Sequence, residues 1–195
     1  MTATINKNIS FMQFQDKSRR TYRLFTAVEI PAKLKETIAG HYCTIEAVKW
    51  VKPEQIHLTV RFLGDTESDK LEKIKEVMSD FRFNEFRFTA EDKTGFFPSP
   101  AKPSVFYLSC GNTDKLVELK YYIDTLLEKC GIPAETRKFI PHITIARIKK
   151  NFNRKNCGVL QDTFSDLKTF NIRADKVTLY RSTLTSNGAV HEKIC

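Results

Sequence analysis

One four-residue pattern, histidine–apolar–threonine–apolar, occurs twice in this chain and constrains the fold more than any other feature. The two copies are His57–Val60 (HLTV) and His142–Ile145 (HITI), and they begin 85 residues apart, at 57 and 142. Successive side chains of a β-strand point to opposite faces, so each copy places its histidine and its threonine on one face. Two such strands facing each other would bring two imidazoles and two hydroxyls into one pocket. Such a set of groups suits acid–base chemistry on a phosphate.

The segments around the two motifs repeat the same order of predicted elements. The first pass begins with an aromatic and β-branched stretch at 22–30, and Pro31 then opens a helix. The second pass begins with a similar stretch at 104–109, followed by a helix whose apolar residues recur at helical spacing up to Gly131. In both passes a proline-containing link leads to the His-x-Thr strand, and a further strand candidate follows. This repetition indicates an internal duplication with one motif in each half.

The duplication predicts an α+β fold with two lobes. Each lobe is expected to be an antiparallel sheet with flanking helices, and a pseudo-twofold relation would place both His-x-Thr pairs in a central cleft. We assign residues 21–195 to this single bilobal domain and residues 1–20 to a flexible N-terminal extension. The stretch 150–162 is polar and rich in asparagine, and we interpret it as a mobile loop.

Composition narrows the setting in which the chain works. Its five cysteines are widely spaced and form no C-x-x-C pair, so neither a zinc site nor a disulfide framework is indicated. No apolar run approaches the roughly 18–20 residues that a membrane span needs, and the N-terminal stretch has no secretion-signal core. We therefore expect a monomeric cytoplasmic protein without membrane contact, metal or cofactor. A formal net charge of +9 favours polyanionic partners such as nucleic acid.

The residues around the motifs resemble a known family. The matching strings are RLFTAVEIP (23–31), VKPEQIHLTVRFLGD (51–65), GFFPSPAKPSVFYLSC (95–110), FIPHITIARIK (139–149) and VTLYRSTLTSNGAVHEKI (177–194). They are similar to the 2H phosphoesterases, named for two His-x-Thr/Ser motifs, and within them to the bacterial and archaeal RNA 2′,3′-cyclic phosphodiesterases, first described as 2′-5′ RNA ligases. The resemblance implies an enzyme that opens 2′,3′-cyclic phosphate ends of RNA to 2′-phosphates, without a metal.

The resemblance also implies roles for individual residues. His57 would be the general acid that protonates the O3′ leaving group, and His142 the general base that activates water. The near symmetry of the motifs leaves these roles open on the sequence alone. The hydroxyls of Thr59 and Thr144 can bind the non-bridging phosphate oxygens, and β-branching keeps both side chains stiff in a strand.

Two arginines are candidates for the phosphate. Strand parity places Arg61 on the face of His57, but it places Arg147 on the face opposite His142. The resemblance nevertheless points to Arg147, and a bulge or strand end after Thr144 would reconcile the two. We favour Arg147 over Arg61.

Aromatic side chains near the motifs could stack on an RNA base. The candidates are Phe25, on a strand predicted to line the cleft, and Phe139, just before the second motif. His41 and His191 lie outside any paired motif, and we interpret them as surface or structural residues.

Three alternative functions remain open. Reversible 2′-5′ RNA ligation, or hydrolysis of small cyclic phosphates such as ADP-ribose 1″,2″-cyclic phosphate, would need both histidines as well, so substrate comparison separates them. From a different class, the chain could be an RNA-end-binding module without catalysis. The four intact motif residues argue against this last alternative.

Overall fold

The computed structural model describes residues 20–186 and 188–195. The predicted N-terminal extension, 1–20, lies outside this part of the chain apart from Arg20. The strands are β1 (Thr21–Glu29), β2 (Val48–Trp50), β3 (His57–Glu67), β4 (Phe86–Phe97), β5 (Val105–Gly111), β6 (His142–Ile148), β7 (Phe170–Ala174), β8 (Val177–Thr185) and β9 (Gly188–Lys193). The helices are α1 (Ala32–Gly40), α2 (Ser68–Asp80), α3 (Asp114–Glu128) and α4 (Cys157–Asp162). Among these described helices, none has the length and apolar content to cross a membrane.

The strands form one antiparallel sheet whose order mirrors the duplication. The order is β7-β4-β5-β6-β3-β1-β8-β9, with β2 paired to β6. The two motif strands, β3 and β6, meet in the middle through the single pair Leu58–Ile143. By contrast, β1 and β3 pair along the whole of β1. The predicted bilobal α+β architecture is confirmed, and this one pair between β3 and β6 joins the strands of the two lobes into the single sheet.

In each half of the chain, one strand that follows the motif pairs in the opposite lobe. Strand β4 follows the first motif but pairs with β5 and β7. Strand β8 follows the second motif but pairs with β1 and β9. Sequence order alone would leave each of these strands in the lobe of its own half. Because the strands are exchanged, neither half of the chain has a complete sheet of its own.

The helices bury apolar faces against this sheet. The stripe predicted for α3 is confirmed, since Leu116, Leu119, Ile123 and Leu127 are buried and Leu126, its fifth member, is half-buried. Helix α1 follows Pro31 directly, as the sequence predicted. Beyond α3 the chain turns at Gly131, whose φ of +75° is a conformation that glycine adopts without strain.

The predicted mobile loop at 150–162 contains structure. It includes α4, and Phe152 and Leu160 within it are buried in the main core. Two apolar side chains are enough to anchor this short polar segment, but they are too few to create a helical period that a sequence can reveal. The loop prediction is therefore wrong for this stretch.

Candidate active site

A β-bulge in β6 decides that Arg147 reaches the cleft. The pairing of β6 with β5 skips Ile145, which has no residue opposite it. An extra residue of this kind reverses side-chain parity beyond it. Arg147 consequently lines the same cleft as His142 and Thr144. The bulge that was needed to reconcile strand parity with the resemblance is confirmed.

Strand β3 carries the same bulge at Val60, and here it removes a candidate. The reversed parity leaves Phe62 lining the cleft and turns Arg61 into the interior, where it is 7% exposed. Arg61 Nε donates to Asp124 Oδ1 at 2.6 Å, and its Nη2 donates to the carbonyl of Pro133 at 2.5 Å. Arg61 is therefore held in a buried ion pair and is not available to a phosphate, contrary to the alternative that strand parity offered.

His57 is held by hydrogen bonds at both ring nitrogens. Its Nδ1 lies 2.7 Å from the carbonyl oxygen of Gln55, which can only accept, so Nδ1 carries the proton of the neutral ring. Its Nε2 lies 3.0 Å from Thr59 Oγ1, whose hydroxyl then donates to it. Burial lowers the pKa of His57 to about 4, helped by the nearby His191 and opposed by the hydrogen bond to Gln55. In the free protein His57 is thus neutral at pH 7.

His142 repeats the same backbone anchor. Its Nδ1 lies 2.7 Å from the carbonyl oxygen of Ile140, two residues upstream, as Gln55 is two residues upstream of His57. The neutral ring again presents an unprotonated Nε2. Burial, with a contribution from Arg147, lowers the pKa of His142 below its ordinary 6.5, and the hydrogen bond to Ile140 opposes this.

Each motif histidine packs against two aromatic side chains: one from the strand paired with its own motif strand, and one from an exchanged strand. The rings are Phe25 of β1 and Tyr180 of β8 around His57, at 4.9 and 6.2 Å, and Tyr107 of β5 and Phe97 of β4 around His142, at 5.3 and 4.8 Å. The second ring of each pair comes from the exchanged strand. The duplication therefore extends to the packing that fixes the orientation of both imidazoles.

Both motifs face one cleft with a volume of about 590 Å³. The structure thus brings together the four predicted residues His57, Thr59, His142 and Thr144. The cationic residues of the lining are Arg23, Lys49, Lys52 and Arg147, and no described lining residue is a carboxylate. Apolar surface comes from Trp50, Val51, Phe62, Leu184 and Val190. Such a cleft suits a ligand with an anionic group and a flat apolar part.

Neither phenylalanine predicted to stack a base is placed to do so. Phe25 belongs to the cleft lining, as predicted, but it is only 1% exposed, and its ring is stacked against His57 at 4.9 Å and Tyr180 at 5.1 Å. Phe139 packs against the core and does not line the cleft. The residue that offers an open ring is Phe62, which lines the cleft and is 44% exposed. Simple alternation along β3 would place Phe62 on the face opposite His57. The bulge at Val60 brings it to the cleft face instead.

His191 is a cleft residue that sequence reasoning missed. Its ring centroid lies 5.4 Å from that of His57, edge to face, and its buried Nδ1 has no hydrogen-bond partner among the described residues. Burial and Arg147 lower the pKa of His191. His191 lies on β9 of the β8–β9 hairpin. Gln55 Nε2 holds this hairpin against the cleft by donating a hydrogen bond to the carbonyl of Ala189 at 2.8 Å. His191 therefore lies in the cleft lining, and its edge-to-face packing on Phe25 and His57 is compatible with the structural role that the sequence suggested.

His41 lies outside the cleft lining, as expected. Its Nδ1 is 3.4 Å from Asp166 Oδ1, and its ring packs 5.0 Å from that of Phe164. This imidazole supports the fold around α1 and does not face the two motifs.

Comparison with known proteins agrees with the duplicated site. Residues 24–107 and 110–191 match the family model described as LigT-like phosphoesterase, and each segment contains one His-x-Thr motif. The RNA 2′,3′-cyclic phosphodiesterase of Methanocaldococcus jannaschii is 33% identical over 174 residues, covering 88% of this chain and 98% of that protein. A protein of the same name from Aquifex aeolicus is 34% identical over 147 residues, covering 73% and 77% respectively.

Solved structures share the fold. TT0787 of Thermus thermophilus superimposes with a TM-score of 0.72 at 23% identity, covering 89% of this chain and 95% of that one. LigT of Escherichia coli gives 0.67 at 22% identity, covering 90% and 96%. The family model matches both halves of the chain, and the relative from Methanocaldococcus jannaschii is 33% identical over 88% of it; the chain therefore belongs to the LigT-like, or 2H, phosphoesterase family of enzymes.

Proposed function

We propose that this enzyme hydrolyses the 2′,3′-cyclic phosphate ends of RNA to 2′-phosphates, without a metal ion, with His57 as general acid and His142 as general base. One observation carries the proposal: two histidines with the same tautomer line one cationic cleft, one from each lobe. The names of the relatives, RNA 2′,3′-cyclic phosphodiesterase, support this choice of substrate.

The cleft offers a place for each part of such a substrate. The single negative charge of a cyclic phosphate can pair with Arg147, whose guanidinium has no carboxylate partner among the described residues. The hydroxyls of Thr59 and Thr144 can donate to the non-bridging oxygens as charge builds up on them. The open ring of Phe62 provides an apolar surface for the terminal base.

Hydrolysis then requires two proton transfers on opposite sides of phosphorus. The unprotonated Nε2 of His142 takes a proton from water while the water oxygen bonds to phosphorus. The bond between phosphorus and O3′ breaks, and Nε2–H of His57 donates its proton to O3′. The products are a 2′-phosphate and a 3′-hydroxyl, and proton exchange with solvent restores both rings.

Substrate binding must change the protonation of His57. A general acid needs a proton on Nε2, yet burial holds the pKa of free His57 at about 4. A phosphate anion beside the ring favours the charged form and raises this pKa. The Thr59 hydroxyl, which donates to Nε2 in the free protein, is then released to donate to the phosphate. Binding of the phosphate anion and protonation of His57 are therefore coupled.

The experiment is turnover of a 5′-labelled oligoribonucleotide with a 2′,3′-cyclic phosphate, in EDTA, by wild type, His57→Ala and His142→Ala. We expect a 2′-phosphate product from wild type and losses of about 10²–10⁴ in rate for each variant. His41→Ala is the matched control, because it removes an imidazole outside the cleft lining, and it should keep wild-type turnover.

Other outcomes would redirect the proposal. Tight RNA binding without turnover would favour an RNA-end-binding module. Turnover of small cyclic phosphates alone, or joining to an added 5′-hydroxyl in preference to hydrolysis, would favour the alternative activities. A 3′-phosphate product would contradict the assigned leaving group, and activity that EDTA abolishes and a divalent ion restores would contradict a metal-free site.

A further inference from the structure

The cleft adjoins a second cavity beyond the two motifs. Arg23, Phe62 and Arg147 line both the cleft and a neighbouring cavity of about 610 Å³, which extends to residues 133–137. Both volumes fall in the range of about 300–1,000 Å³ that is typical of small-ligand sites. Together they form a groove that can hold more than the terminal nucleotide.

Arg23 lies one step along this groove from the histidines. It is two residues before Phe25 on β1, so its side chain leaves the same face of the strand about 7 Å farther along. Phe25 is packed on His57, which places Arg23 on the side of the site away from that ring. A step of this size is comparable to the spacing between successive phosphates in a nucleic-acid strand.

The charge of Arg23 is not neutralised within the described residues. Its side chain is exposed and forms no ion pair there, not even with Asp65, its register partner on β3. Glu135, the other carboxylate of the second cavity, is bound by Arg137 Nη2 at 2.6 Å and lies 3.6 Å from Arg61 Nη1.

Arg23 and Arg147 are close enough to repel each other. The pKa of Arg147 is lowered first by its own partial burial and second by the positive charge of Arg23. Two adjacent cations that repel each other favour a ligand that brings one anionic group to each.

We propose that Arg23 binds the phosphodiester of the nucleotide that precedes the cyclic phosphate, while Arg147 binds the cyclic phosphate itself. The preferred substrate is then the 3′ end of an RNA chain of two or more nucleotides, and a lone nucleoside cyclic phosphate is the poorer substrate. This inference rests on the proposed function and adds an upstream subsite to it.

The test compares two substrates that differ only in the upstream nucleotide: adenosine 2′,3′-cyclic phosphate, and the same nucleoside extended at its 5′ side to a dinucleotide. Wild type should prefer the dinucleotide in kcat/KM. Arg23→Gln should lower kcat/KM for the dinucleotide about tenfold more than for the mononucleotide, the scale of one charge-assisted hydrogen bond. Mononucleotide turnover also shows that the variant is folded.

The control is Arg87→Gln, which removes an exposed positive charge of β4 that does not line the groove. Arg87→Gln should leave the ratio of kcat/KM for the dinucleotide to kcat/KM for the mononucleotide unchanged. If the loss of any positive charge were enough to lower this ratio, Arg87→Gln would lower it as well. Equal losses on both substrates in Arg23→Gln, or no loss on either, would overturn the upstream site while leaving the proposed function standing. Failure of wild type to open either substrate would instead overturn the proposed function itself.

Discussion

The two motif histidines have the same backbone support but different surroundings. In both lobes Nδ1 bonds to a carbonyl two residues upstream, a bulge follows three residues downstream, and an aromatic ring arrives from an exchanged strand. His57 is further enclosed by Thr59 and by His191 of the β8–β9 hairpin. The features that the two lobes share therefore orient the imidazoles, and the features that differ affect the pKa values of the imidazoles.

The clearest divergence lies five residues after each histidine. The two bulges bring Phe62 to the cleft in one lobe and Arg147 in the other. This position is thereby apolar in one lobe and cationic in the other. A nearly symmetric fold can in this way hold an asymmetric substrate, with its base toward one lobe and its phosphate toward the other.

The largest expected effect is on stability, at the arginine that the bulge turns inward. Arg61→Ala removes one of the two ion-pair partners of the buried Asp124 and leaves Lys120 as the other, so the free energy of unfolding should fall by about 3 kcal/mol in a urea titration, the lower end of the range for breaking a buried pair. The folded fraction should keep kcat/KM within a few-fold of wild type. A normally stable variant that has lost turnover would instead return Arg61 to the phosphate site.

Arg147 should behave in the opposite way. Arg147→Ala should lower kcat/KM by about 10² or more, the scale of losing one preorganised donor, with no loss in the free energy of unfolding. Arg147→Lys should recover little of this, because a point charge cannot replace the planar guanidinium fork. The matched control is Phe62→Ala at the equivalent position, which should raise KM a few-fold and spare kcat. Similar losses of kcat/KM in Arg147→Ala and Phe62→Ala would contradict the proposed difference between the two lobes at this position.

The smallest expected effect is a shift in pH dependence. The pKa of free His57 is about 4 and that of His142 is below 6.5, so both limbs of the kcat/KM bell should lie below pH 6.5. His191→Phe preserves a ring against Phe25 but removes a group that lowers the pKa of His57. The limb on the acid side should therefore move to higher pH.

The shift should be partial, because Lys35 and Arg147 continue to lower the pKa of His57. The measurement is kcat/KM from about pH 4 to 8, with His41→Phe as the control that leaves the profile unchanged. An acid limb that stays in place in His191→Phe, or limbs well above pH 6.5 in wild type, would contradict this description of the free site.

Much of this architecture could be predicted from the sequence because it repeats. A motif that recurs after 85 residues, each time behind a strand and a helix, predicted two lobes and one shared cleft. The same repetition contained an unused signal, since a bulge inferred after Thr144 could have been transferred to the equivalent position, Val60. With that transfer, strand parity alone would have turned Arg61 inward and brought Phe62 to the cleft.

The remaining misses depend on contacts between distant parts of the chain. His191 reaches His57 through the pairing of β9 with β8 and the docking of Gln55 on Ala189, and no local pattern encodes either. Phe25 lies on the predicted strand and face, but Tyr180 of an exchanged strand covers its ring. Local parity can place a side chain on a face, whereas its exposure depends on which strand packs over it.

The most direct test of the central claim, that the lobes divide the two proton transfers, changes one atom of the substrate. An RNA end with sulfur in place of O3′ in its cyclic phosphate has a leaving group that needs no general acid, since thiols have a pKa of about 8.5 and are far more acidic than alcohols. On this substrate His57→Ala should come within about tenfold of wild type, after losing about 10² or more on the oxygen substrate, while His142→Ala stays impaired on both. Recovery of His142→Ala instead, or of neither variant, would contradict the assignment of His57 as the acid.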